Sequence, residues 1–230
     1  MGRDQTVEVM EPFIEQLKEQ LHAELPGMEA QIKMAPYPRY VPPQGRSEEE
    51  AIPAAVLVVL FPRHDSWFFI LTERSSEVEH HQGQISLPGG AHEGDESLRE
   101  TALREAEEEL GIDVGSVSML GELTPLFIPV SGFRVHPFVA VTKEEPYLRP
   151  DPTEVGSVHF ASVDQLVDED CIQREVRQIR GLQMEVPYFR FDHLKVWGAT
   201  AAMLSEFREV VQRTMNNLSV QKEPGKEVSP

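Results

Sequence analysis

Glu105, Glu108 and Glu109 are spaced so that, on a helix, all three side chains are neighbours. They lie in a stretch from Gly90 to Ile112 in which a Gly-rich turn runs into a helical pattern. Ala102, Leu103, Ala106 and Leu110 make the apolar stripe of that helix, and the three glutamates sit beside it. Like charges at this spacing repel by a few tenths of a kcal/mol per exposed pair, and by more where a core limits solvation. A hard divalent cation relieves that repulsion, because carboxylate oxygens are the ligands Mg²⁺ and Mn²⁺ take. A Glu-rich helix ordinarily presents a solvated acidic face, so the case for a metal rests on the residues around the carboxylates.

Those residues form a specific pattern. Gly90, five residues, Glu96, seven residues, then Arg104-Glu105-Ala106-x-Glu108-Glu109-x-Gly111-Ile112 resembles the Nudix box, Gly-x5-Glu-x7-Arg-Glu-U-x-Glu-Glu-x-Gly-U, with every fixed position filled. Ala106 is a smaller U residue than the usual Ile, Leu or Val. Upstream, Ile70-Leu71-Thr72-Glu73-Arg74-Ser75 and His81-Gln82-Gly83-Gln84-Ile85-Ser86-Leu87-Pro88-Gly89-Gly90 resemble the signature of the coenzyme A diphosphatase subfamily. Two positions depart from that signature: Glu79 stands in place of Arg, and Leu87 in place of Phe. The first reverses a charge near the implied anion site.

The resemblance implies a fold and a chemistry. The fold is a Nudix-type α/β/α sandwich of the α/β class, with a mixed central sheet, the box helix on one side and the last helix on the other. The chemistry is hydrolysis of a nucleoside diphosphate linked to a second group, with Mg²⁺ or Mn²⁺ as cofactor. Glu105 and Glu109 are the implied metal ligands, Glu108 a further ligand or the residue that orients the water, and the Gly90 carbonyl a fourth donor. The general base stays open among Glu105, Glu108 and a later loop carboxylate such as Glu154. Arg74 and His81 are implied phosphate contacts. Ser131, in a Ser131-Gly132-Phe133 run that also matches the subfamily, is an implied substrate contact. Coenzyme A or its thioesters are the implied substrates, and Glu79 keeps ADP-ribose or another nucleoside diphosphate derivative as the alternative. A non-catalytic binding module is disfavoured by the intact glutamates.

Composition sets the frame for this chemistry. A chain of 230 residues with 40% hydrophobic residues can build one domain with a sizeable core. A net charge of −18 makes it a poor non-specific ligand for nucleic acid or an anionic membrane. Its single cysteine, Cys171, cannot close an internal disulfide. No apolar run approaches the ~20 residues of a transmembrane helix, and residues 1–25 are too charged for a signal peptide. The expected partner is a small nucleotide-like molecule and the expected compartment the cytoplasm. A homodimer stays open.

The elements that must position the site follow from pattern. Residues 1–34 hold a helix that packs on the domain, with Val9, Phe13, Leu17 and Leu21 as its stripe and Pro12 as a candidate first turn. Residues 35–50 read as a Pro-rich linker carrying Arg39, Tyr40 and Arg46. The main domain spans 51–215. It opens with a hairpin over 51–72 and a polar loop holding His80 and His81, and Pro88-Gly89-Gly90 then turns into the box helix. Strands follow near 117–123 and 133–141, then an acidic turn over 148–154, a short strand at 158–160, and a short helix capped by Ser162. A hairpin around Gly181 and a last helix over 196–215 complete the domain, and 216–230 reads as a disordered tail.

Overall fold

The computed structural model describes residues 3–38, 47–75, 84–179 and 181–221. Of the residues singled out above, the Val9 side chain, Arg39, Tyr40, Arg46, Glu79, His80, His81 and the tail beyond Gln221 lie outside them.

Strand β1 (Ile52–Arg63) explains the layering. Its residues are apolar on both faces, as a strand covered on both sides must be. Ala54, Val58 and Leu60 enter one core, while Ala55, Leu57, Val59 and Phe61 enter the other. The second core takes Ala102, Ala106 and Leu110 from helix α3 (Leu98–Leu110). The first takes Phe13, Leu17 and Leu21 from α1 (Arg3–Leu21) and Met203, Leu204, Phe207 and Val211 from α5 (Gly198–Gln221). The sheet is mixed. β1 runs parallel to β7 (Phe133–Thr142) and antiparallel to β2 (Ser66–Arg74) and β4 (Gly89–Ala91). β3 (Ile85–Ser86), β5 (Val117–Glu122), β6 (Leu126–Ile128) and β8 (Val155–Ser162) complete it. The architecture is the α/β/α sandwich the box resemblance implies, with α3 on one face and α1 and α5 on the other.

Several local expectations are corrected. Pro12 lies inside α1 and does not open it. Gly89 and Gly90 do not form a bare turn; they pair with Val56 and Ala55 as strand β4. Only glycine fits at Gly89, where φ is 151° and a Cβ would stand 2.3 Å from the Ala55 carbonyl oxygen. The last helix starts at Gly198, because Leu194–Trp197 forms strand β11 against β10 (Leu182–Phe191). It also continues past Met215 to Gln221, so the first six residues of the expected tail are helical. With β9 (Ile172–Ile179), strands β10 and β11 form a separate three-stranded sheet. The Pro-rich segment is not wholly a linker: Tyr37 exchanges both backbone hydrogen bonds with Glu185 of β10, at 2.9 and 2.8 Å.

Two short helices, α2 (Met28–Gln31) and α4 (Val163–Val167), fill the seams. Ser162 caps α4 through a full capping box with Gln165, as its position predicts. The seam beside α2 is closed by Glu206 of α5, which is fully buried. Its carboxylate accepts from the Gly27 N–H at 3.0 Å, the Gln31 amide at 2.9 Å and the Thr124 hydroxyl at 2.6 Å. A buried carboxylate is tolerated only when its oxygens are satisfied in this way.

Glu206→Ala leaves those donors without their acceptor. It is expected to destabilise the fold by about 3 kcal/mol, read from urea unfolding. A midpoint unchanged from wild type would show that the Gly27–Gln31 segment is held by its apolar contacts alone.

Candidate active site

Helix α3 is fixed at both ends. At its start Ser97 accepts from the Glu100 N–H at 3.3 Å, and Glu100 accepts in return from the Ser97 N–H at 2.7 Å. At its end Gly111 adopts the left-handed conformation and donates to the Glu107 carbonyl at 2.7 Å. Two further carbonyls are satisfied by the 148–154 turn: Arg149 donates to Leu110 at 2.7 Å and Asp151 to Glu109 at 2.9 Å.

The loop before the helix is braced by an ion pair. Glu96 takes a pair of hydrogen bonds from the Arg104 guanidinium, at 3.1 and 3.0 Å. Arg104, and then the Thr101 hydroxyl at 2.8 Å, hold the Glu96 carboxyl down to about 2. The same guanidinium reaches the Ala91 carbonyl at 3.1 Å, which ties the helix to β4. Its other nitrogen donates to Glu105 and to Glu108, each at 2.8 Å. One arginine therefore holds three carboxylates and one strand.

The three glutamates stand in three different environments. Glu109 is buried beside the β4 backbone and accepts from the Gly89 N–H at 3.3 Å. Burial pushes its carboxyl up to about 8, with the Glu105 charge adding to the effect. Glu105 is raised as well, chiefly by burial, against the pull of Arg104. Glu108 is 57% exposed and turned to Arg104. Gly90 closes the space above them: a Cβ there would stand 2.5 Å from the Glu105 carboxylate.

The remaining predicted residues are placed differently. Arg74, exposed at the end of β2, is near enough for its charge to favour ionisation of Glu109, and Glu154 is near enough to oppose ionisation of both Glu105 and Glu109. These two are held together, since Arg74 pairs with Val155 across the sheet and the Ser75 N–H donates to the Glu154 carbonyl at 2.9 Å. Ser131 is exposed at the tip of the β6–β7 hairpin, beyond the Ile52 end of β1. His81 lies outside the described residues. Sequence reasoning missed Thr101 and the Gly89 N–H. Thr101 sits among the apolar positions of α3, where a buried hydroxyl beside an ion pair is the available signal.

The donor set suits a hard divalent cation: all oxygen, two carboxylates held against a core, and a glycine where any side chain would intrude. Among the described residues no three His, Cys, Asp or Glu side chains are already gathered closely enough to hold an ion. Glu105 and Glu108 are each held by Arg104 instead, at 2.8 Å.

Comparison with known proteins bears on this arrangement. A family model described as "NUDIX domain" matches residues 51–180. "Nudix hydrolase 15, mitochondrial" of Arabidopsis thaliana is 36% identical over 160 residues, covering 66% of this chain and 55% of that protein. This chain thus spans about half the length of that relative. An "uncharacterized Nudix hydrolase NudL" of Pectobacterium atrosepticum is 35% identical over 170 residues, covering 72% of this chain and 86% of the relative. Among solved structures, that of a Nudix hydrolase from M. smegmatis, RenU, aligns at 19% identity with a TM-score of 0.49, over 70% of this chain and 86% of that one.

The Glu109 environment has a measurable consequence in chelator. The unfolded carboxyl titrates near its ordinary 4.5, whereas the folded one keeps its proton up to about 8. The folded state therefore binds more protons in this window, and stability falls as pH rises from 4.5 to 8. Glu109→Gln removes that loss. Thermal melts in EDTA should show the variant gaining on wild type by a few kcal/mol between pH 5 and pH 9, at ~1.4 kcal/mol per pH unit. A difference independent of pH would mean that Glu109 ionises normally in the fold.

Proposed function

The chain belongs to the Nudix hydrolase family, and we propose that it cleaves the diphosphate of coenzyme A or its thioesters, releasing adenosine 3',5'-bisphosphate and 4'-phosphopantetheine or its acylated form. The observation that carries this reading is the position of Arg74. It is the arginine of the subfamily signature, it ends the strand beside the carboxylate cluster, and its charge reaches Glu109. A diphosphate lying between Arg74 and the box carboxylates has its scissile phosphorus at the cluster.

Glu105 and Glu109 are the residues we assign to hold Mg²⁺ or Mn²⁺, with Glu108 and the Gly90 carbonyl as further oxygen donors. A cation held by these residues would supply the positive charge that offsets the phosphate and makes water a better nucleophile. The protein's own part is positioning and proton transfer. Arg104 sets the side chains of Glu105 and Glu108. The proton of the attacking water goes to a carboxylate of the cluster, Glu105, Glu108 or Glu154. Arg74 and His81 contact phosphate, and Ser131 contacts the more distant part of the substrate. The cytoplasm is the compartment we assign, on the single Cys171. Among the described residues no helix is long and apolar enough to cross a membrane.

The second reading, ADP-ribose or another nucleoside diphosphate derivative as substrate, rests on Glu79, which reverses the subfamily's charge at that position. Product analysis separates the two. Coenzyme A, ADP-ribose and a dinucleoside polyphosphate are incubated separately with the protein and Mg²⁺ or Mn²⁺. Fastest release of adenosine 3',5'-bisphosphate is the expected result, and faster cleavage of ADP-ribose would overturn the substrate assignment while leaving the site intact. On the preferred substrate, Glu109→Gln should lower turnover roughly 10²–10³-fold with an unchanged circular dichroism spectrum. Wild-type turnover in that variant would refute the assigned site.

A further inference from the structure

Strand β9 is an edge. The three-stranded sheet has the order β11-β10-β9, so among the described residues β9 pairs with β10 alone, on one side. The parity of its hydrogen bonds follows from Tyr37. Glu185 gives its N–H and C=O to Tyr37, so its pair with Val176 across the β9–β10 ladder is a non-hydrogen-bonded one. By alternation, residues 173, 175, 177 and 179 bond to β10, and residues 172, 174, 176 and 178 turn their N–H and C=O groups outward. Val176 is 69% exposed at the middle of this outward edge. An unpaired edge with an exposed β-branched residue at its centre is a template for another strand.

The sequence of β9, Ile-Gln-Arg-Glu-Val-Arg-Gln-Ile, then restricts what that strand can be. Two copies related by a two-fold axis must pair even-numbered residues with even-numbered ones, because only these point outward. An axis at Glu175 would set Glu175 against its own copy, an axis at Arg177 would do the same for Arg177, and an axis at Arg174 would oppose two arginines directly. Like charges directly opposite are unfavourable. With the axis at Val176, valine meets valine, Arg174 meets Gln178, and Glu175 lies opposite Arg177 twice, in the close non-hydrogen-bonded pairs. Within one chain Glu175 already bridges Arg177 and Lys195. The second copy therefore adds its arginine to an existing charge network, and the strand is complementary to itself in one register.

We propose that two copies of this chain associate through antiparallel β9–β9 pairing about a two-fold axis at Val176. The three-stranded sheets of the two copies then join into one six-stranded sheet. The active sites stay separate, because β9 belongs to the sheet that does not carry α3.

The test is the mass of the full chain by light scattering on a sizing column, across a dilution series. Wild type is expected at twice the 26.0 kDa chain mass. Val176→Lys places two ammonium groups against each other on the axis and should weaken association roughly tenfold or more, the ratio that ~1.4 kcal/mol sets. Glu175→Arg should do the same, and the double variant Glu175→Arg/Arg177→Glu should restore the dimer by exchanging the charges across the axis. Circular dichroism identifies any variant that fails to fold, and rescue by the double variant stands independently of Val176→Lys. A monomeric wild type at high micromolar concentration overturns the proposal. So does a dimer that Val176→Lys and Glu175→Arg both leave intact.

Discussion

The structure turns on keeping negative charge against a core. Glu109 is buried, Glu105 nearly so, and the Glu154 charge opposes the ionisation of both. Water does not solvate these groups well, so the fold must provide the compensation that solvent does not. Arg104 provides part of it, through Glu96, Glu105 and Glu108, and the Gly89 N–H provides a little more at Glu109. What remains uncompensated is Glu109, whose carboxyl burial pushes up to about 8. A cation binding there would compete with that proton and release it.

Much of this was legible in the sequence because the constraints are local. The apolar stripe Ala102, Ala106 and Leu110 fixes which face of α3 meets the sheet, and residue spacing then fixes where the glutamates fall. The separate environments of Glu105, Glu108 and Glu109 were not legible. They depend on how β4 passes over the helix, and β4 is a strand only because Gly89 and Gly90 let it lie against β1 and Glu105 without a side chain between. A Gly-Gly pair reads as a turn when its partner strand is unknown. Val196 and Trp197 read as the start of the last helix for a related reason, although they belong to strand Leu194–Trp197. Lys195 and Val196 alternate as a strand does, but four residues are too few to register against the helical pattern that follows.

Buried polar groups on long-range seams were the least legible of all. Glu206 lies between Ser205 and Phe207 on the last helix and is fully buried. Its donors, Gly27, Gln31 and Thr124, are distant in sequence, so no local spacing signals the contact. Thr101 is a milder case, with its hydroxyl on Glu96 five residues away.

The two faces of the sheet divide the work, and β1 is where they meet. Its even-numbered residues Ala54, Val58 and Leu60 are held by the core under α1 and α5, and its odd-numbered residues Ala55, Leu57, Val59 and Phe61 by the core under α3. Because side chains alternate strictly, a slip of one residue would exchange the two sets, so each core enforces the register that the other requires. That register also sets the site. Gly90 lies opposite Ala55 and Gly89 opposite Val56, and these two pairs determine the height at which β4 crosses the carboxylates. The stability supplied by α1 and α5 on the far side is therefore what holds the Gly90 backbone and Glu109 at their spacing. Substitutions in that far core should be felt at the carboxylates through the β1 register, though none of them touches the cluster.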